Sequence, residues 1–201
     1  LQDSAHPDPG PATVRSIIGL SLDRAAARLL NRDVDAEVSA IAARYKEHFF
    51  AYRTGGGPME PMYDGMADLV RTLAALPDVL LGVVTGKSRR GLGAILSHYG
   101  LDPLFVAVRT ADDCPSKPNP AMVLECCAET GIDAADAVVV GDAVFDMEMA
   151  RNAGATALGV SWGYAPVEHL IRAGAHHIAH DAGELGAILG LQGERHARLA
   201  Q

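Results

Sequence analysis

Three places in the chain join an apolar run to residues that can do chemistry. In Val138-Val139-Val140-Gly141-Asp142-Ala143-Val144-Phe145-Asp146, a valine run ends at two carboxylates four residues apart. The run reads as a buried strand, which puts Asp142 at a carboxyl end, where open α/β sheets place their ligands. Asp146 falls in the first turn of the next helix, and the spacing lets both carboxylates approach one point. Two hard oxygen donors suit Mg²⁺, which takes one or two protein carboxylates and fills its other sites with water and phosphate oxygens. The alternative is that Asp142 caps the helix and Asp146 is a solvated first-turn acid.

Val83-Val84-Thr85-Gly86-Lys87-Ser88 is a second strand running into a turn and a helix. Thr85 offers a hydroxyl, and the N–H groups that open the helix face the same way, which makes an anion seat. A plain strand end with Ser88 as helix cap is the other reading. Ser116-Lys117-Pro118-Asn119-Pro120 holds a lysine just before a proline-started helix, where its ammonium is either a fixed cation over the sheet edge or a solvated loop charge. Joint coincidence of a hydroxyl, a cation and a carboxylate pair at three successive strand ends is much less probable than any one of them alone.

The elements that must position these groups alternate. Residues 11–53 read as helical, with a helix through Ala25 to Leu30 capped by Ser21 or Asp23. A second helix over 35–52 carries Val38, Ile41, Tyr45, Phe49 and Tyr52 at intervals of three and four. Thr54-Gly55-Gly56-Gly57-Pro58 is the linker. Beyond it, helices over 63–75, 88–99, 118–130, 143–153, 167–173 and 183–189 alternate with strands over 79–84, 105–108, 137–140, 155–160 and 177–179. Such alternation predicts an α/β fold, a doubly wound parallel sheet with helices on both faces and a helical insert.

Bulk properties narrow the function. A formal net charge of −8 with no offsetting Lys/Arg cluster argues against nucleic acid and anionic membranes. No apolar run approaches the roughly 20 residues that span a bilayer. Cys114, Cys126 and Cys127 make no paired framework, so a reducing cytoplasm is expected, and the thiols read as packed rather than catalytic. His176 and His177 would face opposite sides of a strand and cannot easily chelate one ion; with His180 they read as ordinary strand-end residues.

Thr85-Gly86, Lys117-Pro118 and Gly141-Asp142 with Asp146 resemble the second, third and fourth motifs of the haloacid dehalogenase-like hydrolases. Lys117-Pro118-Asn119-Pro120 and the stretch from Gly141 to Asp146 are the specific signals. Residues 14–22 are similar to the cap segment of phosphoglycolate phosphatase-like and β-phosphoglucomutase-like members. The resemblance implies a helical cap over 7–57, a Rossmann-like core from 1–6 and 58–191, and a tail at 192–201.

It further implies a Mg²⁺-dependent phosphatase acting on a small phosphorylated metabolite through an aspartyl-phosphate. Asp142 and Asp146 would hold the metal, Thr85 and Gly86 would bind the phosphoryl oxygens, and Lys117 would balance charge. Arg15 stands where related caps carry a cationic substrate contact, with Arg53, His48 and Lys87 as further candidates. A monomer or homodimer is expected. A phosphomutase and a catalytically inactive binding protein are the rival readings.

The family's first motif, Asp-x-Asp-Gly-Thr after a hydrophobic strand, is absent from the sequence. Leu1-Gln2-Asp3-Ser4 is similar to the residues that follow it, and the cap is short by a helix. The expectation is that a segment of a normal enzyme precedes Leu1, because a missing first strand would strip the centre of the sheet and leave ladder groups unpaired.

Overall fold

The computed structural model describes residues 8–191, so the expectations for Leu1 to Pro7 and the tail at 192–201 lie outside the described residues. Three helices come first: α1 (Gly10–Arg15), α2 (Leu22–Leu29) and α3 (Ala36–Thr54). Asp35 starts α3 by accepting the Val38 N–H at 2.9 Å, a cap of the kind that contributes about 1 kcal/mol. α2 and α3 pack on one another and bury Ala25 and Ala27 on the first, Val38 and Ala42 on the second.

The rest alternates, as the sequence predicts. The elements are α4 (Met66–Ala74), β1 (Gly82–Val84), α5 (Arg89–Tyr99), β2 (Ala107–Arg109), α6 (Ala121–Thr130), β3 (Val138–Gly141), α7 (Val144–Ala153), β4 (Thr156–Val160), α8 (Val167–Arg172), β5 (His177–Ala179) and α9 (Ala182–Ile188). Several ends differ from expectation for local reasons. α4 begins at Met66 rather than near Tyr63, because Gly65 takes a left-handed φ of +74° that no helix can run through. α6 begins after Pro120, which serves as its cap. α5 starts as expected, with Ser88 accepting the Gly91 N–H at 3.2 Å.

All strand pairs are parallel, and they form two half-sheets: β1 with β2, and β3-β4-β5. Both share the same helical layers. On one face, Met122, Val123 and Cys127 of α6 join Met149 and Ala150 of α7 in a cluster that takes in Val139 and Val84. On the other, α4 places Leu69 and Leu73 against Leu158 and Val138, and Val70 against Val83. Among the described residues no strand pairs with the inner edges of β1 and β3, which therefore border one slot between the two helical layers. Val84 and Val140 both line the cavity of about 1950 Å³ that opens there.

Leu158, fully buried on β4, anchors the second cluster. Leu158→Ala should cost about 2–5 kcal/mol, read as a lower urea midpoint with an unchanged slope.

Candidate active site

The slot's carboxyl end is where the three sequence signals meet. Lys117 lies in the loop between β2 and α6 and is 8% exposed. Its ammonium donates to the Val84 carbonyl at 3.1 Å and to Asp146 Oδ1 at 2.6 Å. One side chain thus ties the end of β1 to the start of α7 across the slot. Two of its three N–H groups are used, and the third has no protein partner among the described residues. Asn152 of α7 steadies the loop by donating to the Pro118 carbonyl at 2.9 Å.

Thr85 extends the β1 ladder, its N–H donating to the Arg109 carbonyl at 3.0 Å. Its hydroxyl accepts the Lys87 N–H at 3.1 Å and so shapes the turn around Gly86. That turn is locked to the next strand's loop: Asp112 accepts the Arg89 N–H at 2.8 Å, and Lys87 O accepts the Ala111 N–H at 3.0 Å. Asp113 caps the same loop by taking both the N–H and hydroxyl of buried Thr110. Arg89 at 2.6 Å, with Thr110, holds its carboxyl down to about 2.

The carboxylate pair is not symmetric. Asp146 spends Oδ1 on Lys117 and Oδ2 on the Ala143 N–H at 3.0 Å. Its job in the fold is to hold the lysine and half-cap α7. Asp142 accepts the Tyr164 N–H on Oδ2 at 3.2 Å, has no side-chain donor among the described residues, and lines the cavity. Burial, and then the Asp146 charge, push the Asp142 carboxyl up from its ordinary range. An under-compensated carboxylate at a strand end fits a cation, and Mg²⁺ asks for no more than one or two such groups. Among the described residues no three His, Cys, Asp or Glu side chains come together to hold a metal by themselves.

The cap loop closes over these groups. A Cβ on Gly86 would lie 2.6 Å from Leu20 O and 2.8 Å from Gly19 O, and a Cβ on Gly19 would lie 3.1 Å from that of Ala143. Ser21 N–H donates to Ser116 Oγ at 2.9 Å. Farther out, Arg90 of α5 lies 3.3 Å over the Phe50 ring of α3, and Arg28 of α2 lies 5.4 Å over Phe145. Gly86→Ala should therefore push the cap loop away from the turn after β1. A displacement near 1 Å at such a position lowers kcat/KM by about 10²-fold, which steady-state kinetics would read, and because the clash is with backbone the melting temperature should fall as well.

The cationic candidates from the cap fare differently. Arg15 is exposed on α1, and its neighbours Val14 and Ile17 line the cavity while Arg15 does not. Lys87 is paired with Glu60 at 2.6 Å, and Arg53 donates to the Pro58 carbonyl at 2.7 Å and touches the Met59 sulfur. His48 lines the cavity. Outside the site, burial and Glu125 push the Cys114 thiol up to about 11, far from a nucleophilic thiolate. His176 accepts the Ala157 N–H at 2.8 Å beside Arg151, and His180 meets Ser161 Oγ at 3.1 Å, so these rings serve separate partners.

Sequence reasoning missed Tyr164, whose N–H meets Asp142, and the glycine before it. The signal was Trp162-Gly163-Tyr164 directly after a strand, at the sheet edge that carries the site.

Comparison with known proteins bears on the family and the fold. The sequence profile of the haloacid dehalogenase-like hydrolases matches residues 2–160. A probable phosphatase of Dickeya dadantii is 31% identical over 173 residues, covering 85% of this chain and 74% of that protein. A phosphoglycolate phosphatase of Rhodospirillum rubrum is 34% identical over 176 residues, covering 86% and 71%. The crystal structure of a hydrolase from Pseudomonas syringae superposes with a TM-score of 0.73 at 24% identity, covering 86% of this chain and 79% of that one, a likeness of fold.

Proposed function

The chain belongs to the haloacid dehalogenase-like hydrolases, as a phosphatase of that family, and on that footing we propose that it hydrolyses a small phosphate monoester, phosphoglycolate-like or sugar-phosphate-like, with Mg²⁺ and through an aspartyl-phosphate. One observation carries the reading: Thr85, Lys117 and Asp142 line one cavity at the mouth of the slot between β1 and β3.

The chain's own groups divide the work. The Thr85 hydroxyl and the Gly86 N–H donate to oxygens of the transferring phosphoryl group, in the manner of an oxyanion hole. Lys117, held by Asp146, sets a fixed positive charge beside them. The attacking carboxylate is not among the described residues; the proposed reaction requires one in the slot between β1 and β3, within reach of Lys117 and Asp142. Its oxygen attacks phosphorus, the ester P–O bond breaks, and a carboxylic acid protonates the leaving oxygen. Water then attacks the acyl phosphate and frees inorganic phosphate and the carboxylate. Asp142 is the residue that would hold Mg²⁺, which when bound neutralises phosphoryl oxygens. The cap loop over Gly86 keeps bulk water out.

Incubation with 2-phosphoglycolate and with hexose phosphates, with and without Mg²⁺, tests the reading. Mg²⁺-dependent release of inorganic phosphate supports it. Isomerisation of a sugar phosphate without release would assign a mutase, and no reaction with any monoester would sink it.

A further inference from the structure

The turn that follows β4, Ser161 to Ala165, closes onto Asp142. The Tyr164 N–H donates to Asp142 Oδ2 at 3.2 Å, and the Ala165 N–H donates to the Asp142 carbonyl at 3.0 Å. Between the strand and these two donors sits Gly163. A Cβ there would lie 2.1 Å from Asp142 Cβ, 2.4 Å from Oδ2 and 2.6 Å from Cγ. Real Cβ atoms do not approach so closely, and a Cβ sits on the backbone rather than at the far end of a flexible side chain, so it cannot swing away. The φ of Gly163 is ordinary, so clearance and not backbone freedom is what demands glycine.

We propose that Gly163 is a positioning residue for the metal-binding carboxylate. Its missing side chain lets the turn close onto Asp142, and the closed turn delivers the Tyr164 N–H to the carboxylate and the Ala165 N–H to the backbone carbonyl of the same residue, which together fix the carboxylate's direction toward the cavity. The proposal rests on the reading of Asp142 as the residue that would hold Mg²⁺. It adds a constraint from a different strand, one that no charge or titratable group announces. Outer partners that orient a ligand commonly govern metal affinity by one to two orders of magnitude.

Two measurements test it, neither of which requires turnover. In the first, Mn²⁺ alone is titrated into ¹⁵N-labelled protein while the Tyr164 and Ala165 amide signals are followed. Paramagnetic broadening of both is expected in the wild type. Gly163→Ala should need about 10-fold more Mn²⁺, and Asp142→Asn should lose the effect. Gly93→Ala, at a glycine with nothing within 4 Å of the added carbon, should behave as wild type. A Gly163→Ala protein that titrates like wild type overturns the proposal. Wild-type amides untouched by Mn²⁺ would refute the metal reading of Asp142 instead, leaving the second measurement to judge the positioning claim.

The second is a thermal double-mutant cycle. Gly163→Ala should lower the melting temperature by about 5 °C in the wild-type background and leave it unchanged beside Asp142→Gly, where the opposing side chain is gone. If the single variant fails to fold, the pair of proteins in the Asp142→Gly background still decides. Equal losses in both backgrounds, or a loss confined to the Asp142→Gly background, overturn the proposal.

Discussion

Lys117→Met is expected to abolish phosphate release and to destabilise the fold by about 3–5 kcal/mol, because it strands the Asp146 carboxylate in a buried position without its cation. The two effects have separate causes and can be pulled apart. Lys117→Met combined with Asp146→Asn removes the orphaned charge while keeping an acceptor for the Ala143 N–H. That pair should recover most of the lost stability and none of the activity, since no cation then faces the phosphoryl group. Urea denaturation and phosphate release on the same preparations provide the check. Recovery of both together would mean that the lysine only braces the fold.

Asp142→Asn should lower turnover by about 10³-fold, the scale of removing several kcal/mol of charge stabilisation from a phosphoryl transfer. The same substitution should raise the melting temperature of the metal-free protein near neutral pH. The sign follows from the direction of the shift. Burial and the Asp146 charge raise the Asp142 carboxyl in the folded state, so ionising it opposes folding. Below the unfolded-state value, near 3.9, the carboxyl is protonated in both states and the penalty is absent. It grows as pH rises through the window up to the folded value and is complete above it. The stability gain of Asp142→Asn should therefore be full at neutral pH and fade in acid. Melting curves between pH 3 and 7 in a chelating buffer would reveal it, and a gain that persisted in acid would point to packing rather than charge.

These effects depend on groups that the sequence places well. Val138 to Asp142 and Val83 to Thr85 were legible because a continuous apolar run ending in a polar residue and a turn marks a buried strand, and the Lys117 loop because a proline-started helix follows it. The helix starts at Asp35 and Ser88 were legible for a similar reason, since a capping oxygen is a local requirement. The linker at Gly55 to Pro58 likewise follows α3 directly.

What escaped was settled by contacts across the chain. A four-residue spacing brings Asp142 and Asp146 together but cannot tell which one a lysine from a distant loop will claim. The structure gives that lysine to Asp146 and gives Asp142 no side-chain donor among the described residues. The Val79 to Val84 run is apolar throughout, yet its ladder with β2 takes in Gly82 to Val84 with single hydrogen bonds at Leu81 and Thr85 at its ends, while Leu80 lies half exposed. The division of the sheet into two halves follows from the absence of a strand between β1 and β3 among the described residues. Gly163 carries no charge and no motif of its own, and its role exists only where β4's turn meets β3's end. Arg15, for which the resemblance implies a substrate contact, is exposed on α1 and does not line the cavity.

The most direct test of phosphoryl transfer at this site is to trap the intermediate. The enzyme is incubated with ³²P-labelled phosphate ester and Mg²⁺, quenched in acid, and assayed for label bound to protein. The account predicts bound label that hydroxylamine removes, as an acyl phosphate requires, and its loss in Lys117→Met. Release of inorganic phosphate with no label ever on the protein, or label that survives hydroxylamine, would contradict it.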